Sequence, residues 1–94
     1  MTRARLPYVW DYDIDEETFR QLLAGARTLG RLDQEWAAVR LLEYAPYREI
    51  VRLLGFRSLV ANWPRWRRRV RSTHRRRGLD FLVAWLPQQH PDLV

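Results

Sequence analysis

Asp33-Gln34-Glu35-Trp36-Ala37-Ala38-Val39-Arg40-Leu41-Leu42-Glu43-Tyr44-Ala45-Pro46-Tyr47-Arg48-Glu49-Ile50-Val51-Arg52-Leu53-Leu54-Gly55 is the stretch that decides the fold class. Asp33 stands where a helix wants an N-cap, and Glu35 follows in the first turn, against the positive end of the helix dipole. Trp36, Val39 and Leu42, with Leu32, share one helical face, which Ala37, Leu41 and Tyr44 broaden. The helix is expected to end at Ala45, because a proline disfavours helical geometry in the residue before it. Pro46 suits the first position of the next helix. Tyr47, Ile50, Val51 and Leu54 form the expected buried face of that helix, and Gly55 is a natural residue just past its end. Two helices back to back, with no period-two alternation, point to an all-α protein.

The same reading extends in both directions. Toward the N-terminus, Asp13-Ile14-Asp15-Glu16 marks a helix start. Phe19, Leu22, Leu23 and Ala26 follow at helical spacing, and Gly25 and Gly30 set the end near Thr28. Residues 1–12 read as an extended arm, since Pro7 restricts Leu6. Toward the C-terminus, Ser58 caps a short turn through Leu59, Val60 and Trp63, and Pro64 opens an arginine-rich helix. Ser72 or Thr73 caps a final helix that stops at Pro87, leaving residues 88–94 as a frayed tail. The expectation is one domain over residues 1–94, a compact bundle of five to six short helices behind an extended arm.

A chain of 94 residues buries only about two-thirds of its unfolded surface, so large side chains matter. Five Trp, four Tyr and three Phe supply them. The absence of Cys excludes disulfide scaffolds and thiolate metal sites, and suits a reducing compartment. The longest apolar stretch, Leu79 to Leu86, contains Asp80 and is far short of a membrane span. No apolar run follows the basic Met1-Thr2-Arg3-Ala4-Arg5, so no signal peptide is expected, and the cytoplasm is the expected location.

Charge is distributed unevenly. All 17 basic residues are Arg; residues 1–50 hold 7 of them against 9 acids, and residues 51–94 hold 10 against 2. Five acids lie within Asp11–Glu17 and eight arginines within Arg65–Arg77. Nucleotide composition alone can favour Arg over Lys, but the clustering suits either an intramolecular clasp or a polyanionic partner. On the helix opened by Pro64, Arg65, Arg68 and Arg69 put guanidinium groups on at least three sides, so it cannot be deeply buried, since an unpaired buried charge costs several kcal/mol. With Arg67, Arg71, Arg75, Arg76 and Arg77 they are the candidate nucleic-acid contacts. Only Trp66 and Val70, four apart, can form an inner stripe. Guanidinium groups are also the side chains best matched to phosphate.

Catalysis needs an activated nucleophile, an acid–base pair or a metal. His74 sits among the arginines and His90 in the tail, sixteen residues away. Asp11, Asp13 and Asp15 alternate as in a cation loop, but Glu16 stands at the sixth position where Gly is required and Leu22 at the twelfth. Helix capping and ion pairing explain these acids, with Asp11 or Asp13 paired to Arg40 and Glu43 one turn beyond. A metal-dependent hydrolase centred on Asp11, Asp13 and Glu43 is a distant third reading. Arg48 to Gly55 also looks like the first helix and turn of a helix-turn-helix. Pro64, however, cuts the second helix to Ser58–Trp63, whose apolar side chains pack rather than read bases.

Trp10-Asp11-Tyr12-Asp13, followed by Arg40-Leu41-Leu42-Glu43-Tyr44-Ala45 and Ile50 to Leu54, resembles a family of short, uncharacterised bacterial and archaeal helical proteins. Their marks are a Trp-Asp-x-Asp opening, an Arg-x-Leu-Glu-Tyr-Gly/Ala segment and a two-helix tail, and the resemblance spans roughly residues 8–86. Members are often encoded beside nucleotidyltransferase-like toxins, which implies an antitoxin or accessory role. Ala45 departs from the more usual Gly, and the arginine density of residues 65–77 exceeds the family's.

The expected function is therefore a non-enzymatic regulatory partner, antitoxin-like, that binds a cognate protein such as a toxin. Trp63, Trp66 and Trp85 are its expected hot spots, and a homodimer its expected assembly. The alternative is a DNA- or RNA-binding module that uses the arginines of 65–77. No cofactor, metal or membrane partner is expected.

Overall fold

The computed structural model describes residues 7–9 and 12–94. Its five α-helices are α1 (Glu16–Leu23), α2 (Gln34–Tyr44), α3 (Tyr47–Leu53), α4 (Phe56–Trp66) and α5 (Thr73–Gln89). Short 3₁₀ turns cover Pro7–Val9, Arg67–Arg69 and Pro91–Leu93, and no strand is present among the described residues. The chain is an all-α bundle. No helix among these residues is long and apolar enough to cross a membrane.

Helix starts follow the capping chemistry. Asp15 accepts the N–H of Thr18 at 2.9 Å, Asp33 that of Trp36 at 2.9 Å, and Ser72 that of Arg75 at 3.2 Å. Within the Asp13–Glu16 start, Asp15 is thus the cap. α1 ends at Leu23 rather than near Thr28, because Gly25 at φ 74° lets Ala26 and Gly25 donate back to the carbonyls of Gln21 and Leu22. Leu29 and Leu32 then exchange a reciprocal pair of 2.9 Å backbone bonds around the turn into α2.

α2 is the hub, packed by α1, α3, α4 and the Pro7–Val9 turn. Its buried face is Ala37, Ala38, Leu41, Leu42 and Ala45, whose small members let neighbours approach closely. Phe19 and Leu22 from α1, Ile50 from α3, and Leu59, Trp63 and Trp66 from α4 close over it. The inner stripe expected of Trp66 and Val70 is present, at 1% and 0% exposure. Tyr44 and Tyr47, expected to be buried, are 60% and 49% exposed.

Two prolines do not act as stops. α4 runs through Pro64 and α5 through Pro87, so α4 has 11 residues and no helix opens at Pro64. Each proline removes one hydrogen bond near its helix's C-terminal end. Burial of Trp63 and Trp66 around the first, and of Leu86 before the second, holds the preceding residue helical against its local preference. The ends of the chain are likewise more engaged than expected. Val9 lies in the core at 1% exposure, so the described part of the arm is a docked turn. The tail closes as a turn, with Leu93 donating to the His90 carbonyl at 3.0 Å.

Candidate functional site

The arginine run is not one helix. It passes from the end of α4 through the 3₁₀ turn and an extended link at Val70–Ser72 into the first turns of α5. Trp66 and Val70 pin this link to the core, so the arginines beside them point to different sides.

On one side they hold the fold together. Arg67 grips Asp80 of α5 with two bonds, Nε to Oδ1 at 2.7 Å and Nη2 to Oδ2 at 3.0 Å. The same Oδ1 accepts the indole N–H of buried Trp63 at 2.7 Å. These bonds, Arg67's foremost, hold the Asp80 carboxyl below its ordinary range, and the carboxylate in turn raises the Arg67 pKa. Arg75 reaches the C-terminal end of α2, donating to the carbonyls of Ala45 at 2.6 Å and Leu42 at 3.4 Å. A cation belongs there, at the negative end of the helix dipole.

On the other side lies a groove of about 480 Å³ between α2 and the link. α2 contributes Trp36, Val39, Arg40, Glu43 and Tyr44, at helical spacings that place them along one outward face. The 3₁₀ turn contributes Arg68 and Arg69, and the link contributes Arg71. Four guanidinium groups and one carboxylate thus line it, and that carboxylate accepts the backbone N–H of Arg71. Arg69 reaches Glu35 at 3.3 Å yet stays half exposed. The guanidinium of Arg40 lies 5.5 Å from the ring centres of Tyr12 and Trp36 and 5.3 Å from that of Tyr44. Trp36 is fixed in turn by edge-on contacts with Tyr12 and Phe19, at 5.0 and 6.2 Å. The groove is cationic, half floored by rings, and open.

The remaining sequence-derived residues fall elsewhere. Arg65 bonds Asn62 at 3.1 Å and stacks on Trp66, while Arg76 faces Asp80 and Arg77 is exposed. Trp63 and Trp66 are corrected from hot spots to core, at 3% and 1% exposure, because α4 turns them onto α2 and α5. Trp85 is 38% exposed, with its ring 5.1 Å from that of His90. Asp11 lies outside the described residues, and Asp13 is exposed ahead of the α1 cap. Glu16, part of the expected acidic clasp, pairs instead with Arg52 at 2.8 Å and Arg20 at 3.5 Å. Bonding by Arg52 lowers its pKa. His74 is exposed, and no three metal-ligating side chains converge among the described residues.

α4 is longer than Pro64 implied, yet its outward residues are Arg57, Ala61, Pro64 and Arg65. The one amide nearby, Asn62, is engaged with Ser58 and Arg65. That face presents two arginines, Arg57 and Arg65, beside apolar Ala61 and Pro64. Sequence reasoning missed Tyr44, assigned to the core, and Phe81, which is 69% exposed one turn before Trp85. A helical wheel on Leu79, Leu82, Val83 and Leu86 would have placed Phe81 and Trp85 outside. No family model matches the chain, and no curated protein or solved structure matches it either.

Proposed function

We propose that this chain is a non-enzymatic binding protein that grips nucleic acid through the groove between α2 and the Arg67–Arg71 segment. The observation that carries the reading is the set of guanidinium groups from Arg40, Arg68, Arg69 and Arg71 around one recess that also presents an exposed ring, Tyr44. Guanidinium forks match phosphate oxygens in pairs, and aromatic faces take bases. Arg68, Arg69 and Arg71 lie within about 10 Å of one another along the chain, close enough to meet neighbouring phosphates of one strand.

Fluorescence anisotropy with a labelled oligonucleotide, at about 50 and 200 mM salt, tests it. Three phosphate contacts predict that log K falls against log salt with a slope of about −2 to −3. Replacing Arg68 and Arg71 together by Ala should flatten that slope. No binding at the lower salt would sink the reading.

A second reading is favoured by a separate observation. Phe81 and Trp85, one turn apart on α5, are 69% and 38% exposed. Such a strip is the kind of anchor a protein partner covers, as the antitoxin-like resemblance implies, and a second copy of the chain would cover it too. Light scattering over a concentration series, with Phe81→Ser beside the wild type, separates the two occupants. A mass that stays monomeric removes the second copy.

A further inference from the structure

We infer that the groove takes an unpaired strand of nucleic acid, with one base stacked on Tyr44 and the flanking phosphates on Arg68 and Arg71. This rests on the nucleic-acid reading above and narrows it to the form of the strand.

Shape is the first ground. A duplex is read by an element that protrudes into its grooves, the major groove being about 12 Å wide. Here the cations line a recess instead. The groove follows α2 from Trp36 to Tyr44, about 12 Å of helix, and a base in a duplex enters such a recess only by leaving its stack. The groove is open, and its volume of about 480 Å³ is enough to seat a nucleotide without enclosing it.

The second ground is the condition of Tyr44. Its ring is 60% exposed, and it meets no other ring among the described residues. The Arg40 guanidinium, 5.3 Å from its centre, holds it in place, so stacking a base on it costs little further side-chain freedom. Arg40 itself is braced against Trp36 and Tyr12. An exposed ring held by a cation at the mouth of a basic groove is a stacking platform, and stacking is how single strands are held without regard to sequence.

The third ground is the link. Glu43 accepts the Arg71 backbone N–H, and Val70 is buried, so the segment carrying Arg68 and Arg71 is fixed relative to α2. Cations and ring therefore keep a constant separation, as a strand with regular phosphate spacing requires.

The test uses the full chain with one labelled sequence presented as single-stranded DNA, as single-stranded RNA and as a DNA duplex, at low salt. The expected result is at least tenfold tighter binding of the single strands than of the duplex. Tyr44→Ala should weaken single-strand binding about tenfold or more and leave duplex binding unchanged, whereas Tyr44→Phe retains the wild-type value. Circular dichroism checks that both variants fold; the wild-type preference for single strands tests the inference without either. Binding of duplex as tight as of single strands, with Tyr44→Ala neutral, overturns the inference and leaves the groove as a phosphate site. Failure of all three nucleic acids to bind overturns the reading on which it rests.

Discussion

Arg67 turns inward onto Asp80, 2.7 Å away, whereas Arg68, the next residue, lines the groove and pairs with no acid among the described residues. Trp66 and Val70 set this division. With both buried, the arginines between them are divided between the α4–α5 seam and the opening beside α2. The inner region is a packed joint in which a carboxylate, an indole and a guanidinium satisfy one another. In the outer region Arg68 and Arg71 are exposed, while Arg69 pairs with Glu35 and Arg40 packs against three rings. Identical side chains three bonds apart along the backbone therefore acquire different roles from what lies within reach. Arginine density by itself says nothing about which arginines are available to a ligand.

The comparison fails most decisively if the inner joint proves dispensable. Trp66→Ala should cost about 3–5 kcal/mol, a large part of the total for a chain of this size, and lower Tm by well over 10 °C. Thermal unfolding followed by circular dichroism measures it, and an unchanged Tm would mean that Trp66 does not anchor the link. The Trp66 indole N–H has no hydrogen-bond partner among the described residues. Trp66→Phe removes that buried donor along with some volume, so it should cost clearly less than Trp66→Ala.

Asp80 ranks next. Asp80→Ala leaves the Trp63 indole N–H without its acceptor and should cost about 1–3 kcal/mol. Asp80→Asn keeps an acceptor for that indole and should cost less. The pH dependence follows from the lowered pKa of this carboxyl, caused first by its bonds to Arg67. A depressed folded-state pKa stabilises the protein fully above the unfolded value of about 3.9, and the contribution is lost as pH falls toward the lower folded value. Denaturant midpoints between pH 6 and pH 3 should therefore fall less steeply for Asp80→Asn than for the wild type. Parallel curves would show that the Arg67–Asp80 contact adds nothing to stability.

The sequence revealed most where the governing chemistry is local. The Asp33 cap, the end of α2 at Ala45, the turn at Gly55 and the Trp66–Val70 stripe depend on residues within a few positions of one another. Pro64 and Pro87 were misread for the opposite reason. Their local preference is overridden by burial against residues far away in the chain, which no window of sequence contains. Trp63 looked like a free anchor because nothing local announces Asp80, seventeen residues on, as the partner of its indole. The groove was hidden in the same way, since it joins the outward face of α2 to a link some 28 residues later, as in the bond from Arg71 to Glu43. The arginine cluster marked the neighbourhood, but Tyr44, the residue that gives the site its ring, looked like core.

The smallest effects are the sharpest test, because they compare adjacent residues. Arg67→Ala removes a two-point contact between partly exposed groups and should lower stability slightly, by more than Arg68→Ala does. Arg68→Ala should change stability by less than about 0.5 kcal/mol in either direction. Their order should reverse in binding. Loss of one phosphate contact reduces the salt slope by about 0.7 for a single strand, so Arg68→Ala should flatten the slope while Arg67→Ala leaves it in place. Equilibrium denaturation and anisotropy on the same two preparations give all four values. If both variants lost stability alike and bound alike, the inner and outer sides of the link would be one electrostatic surface, and the Trp66–Val70 anchor would not be sorting them. If the effects cross, the buried pair divides a single arginine run into a joint and a binding edge.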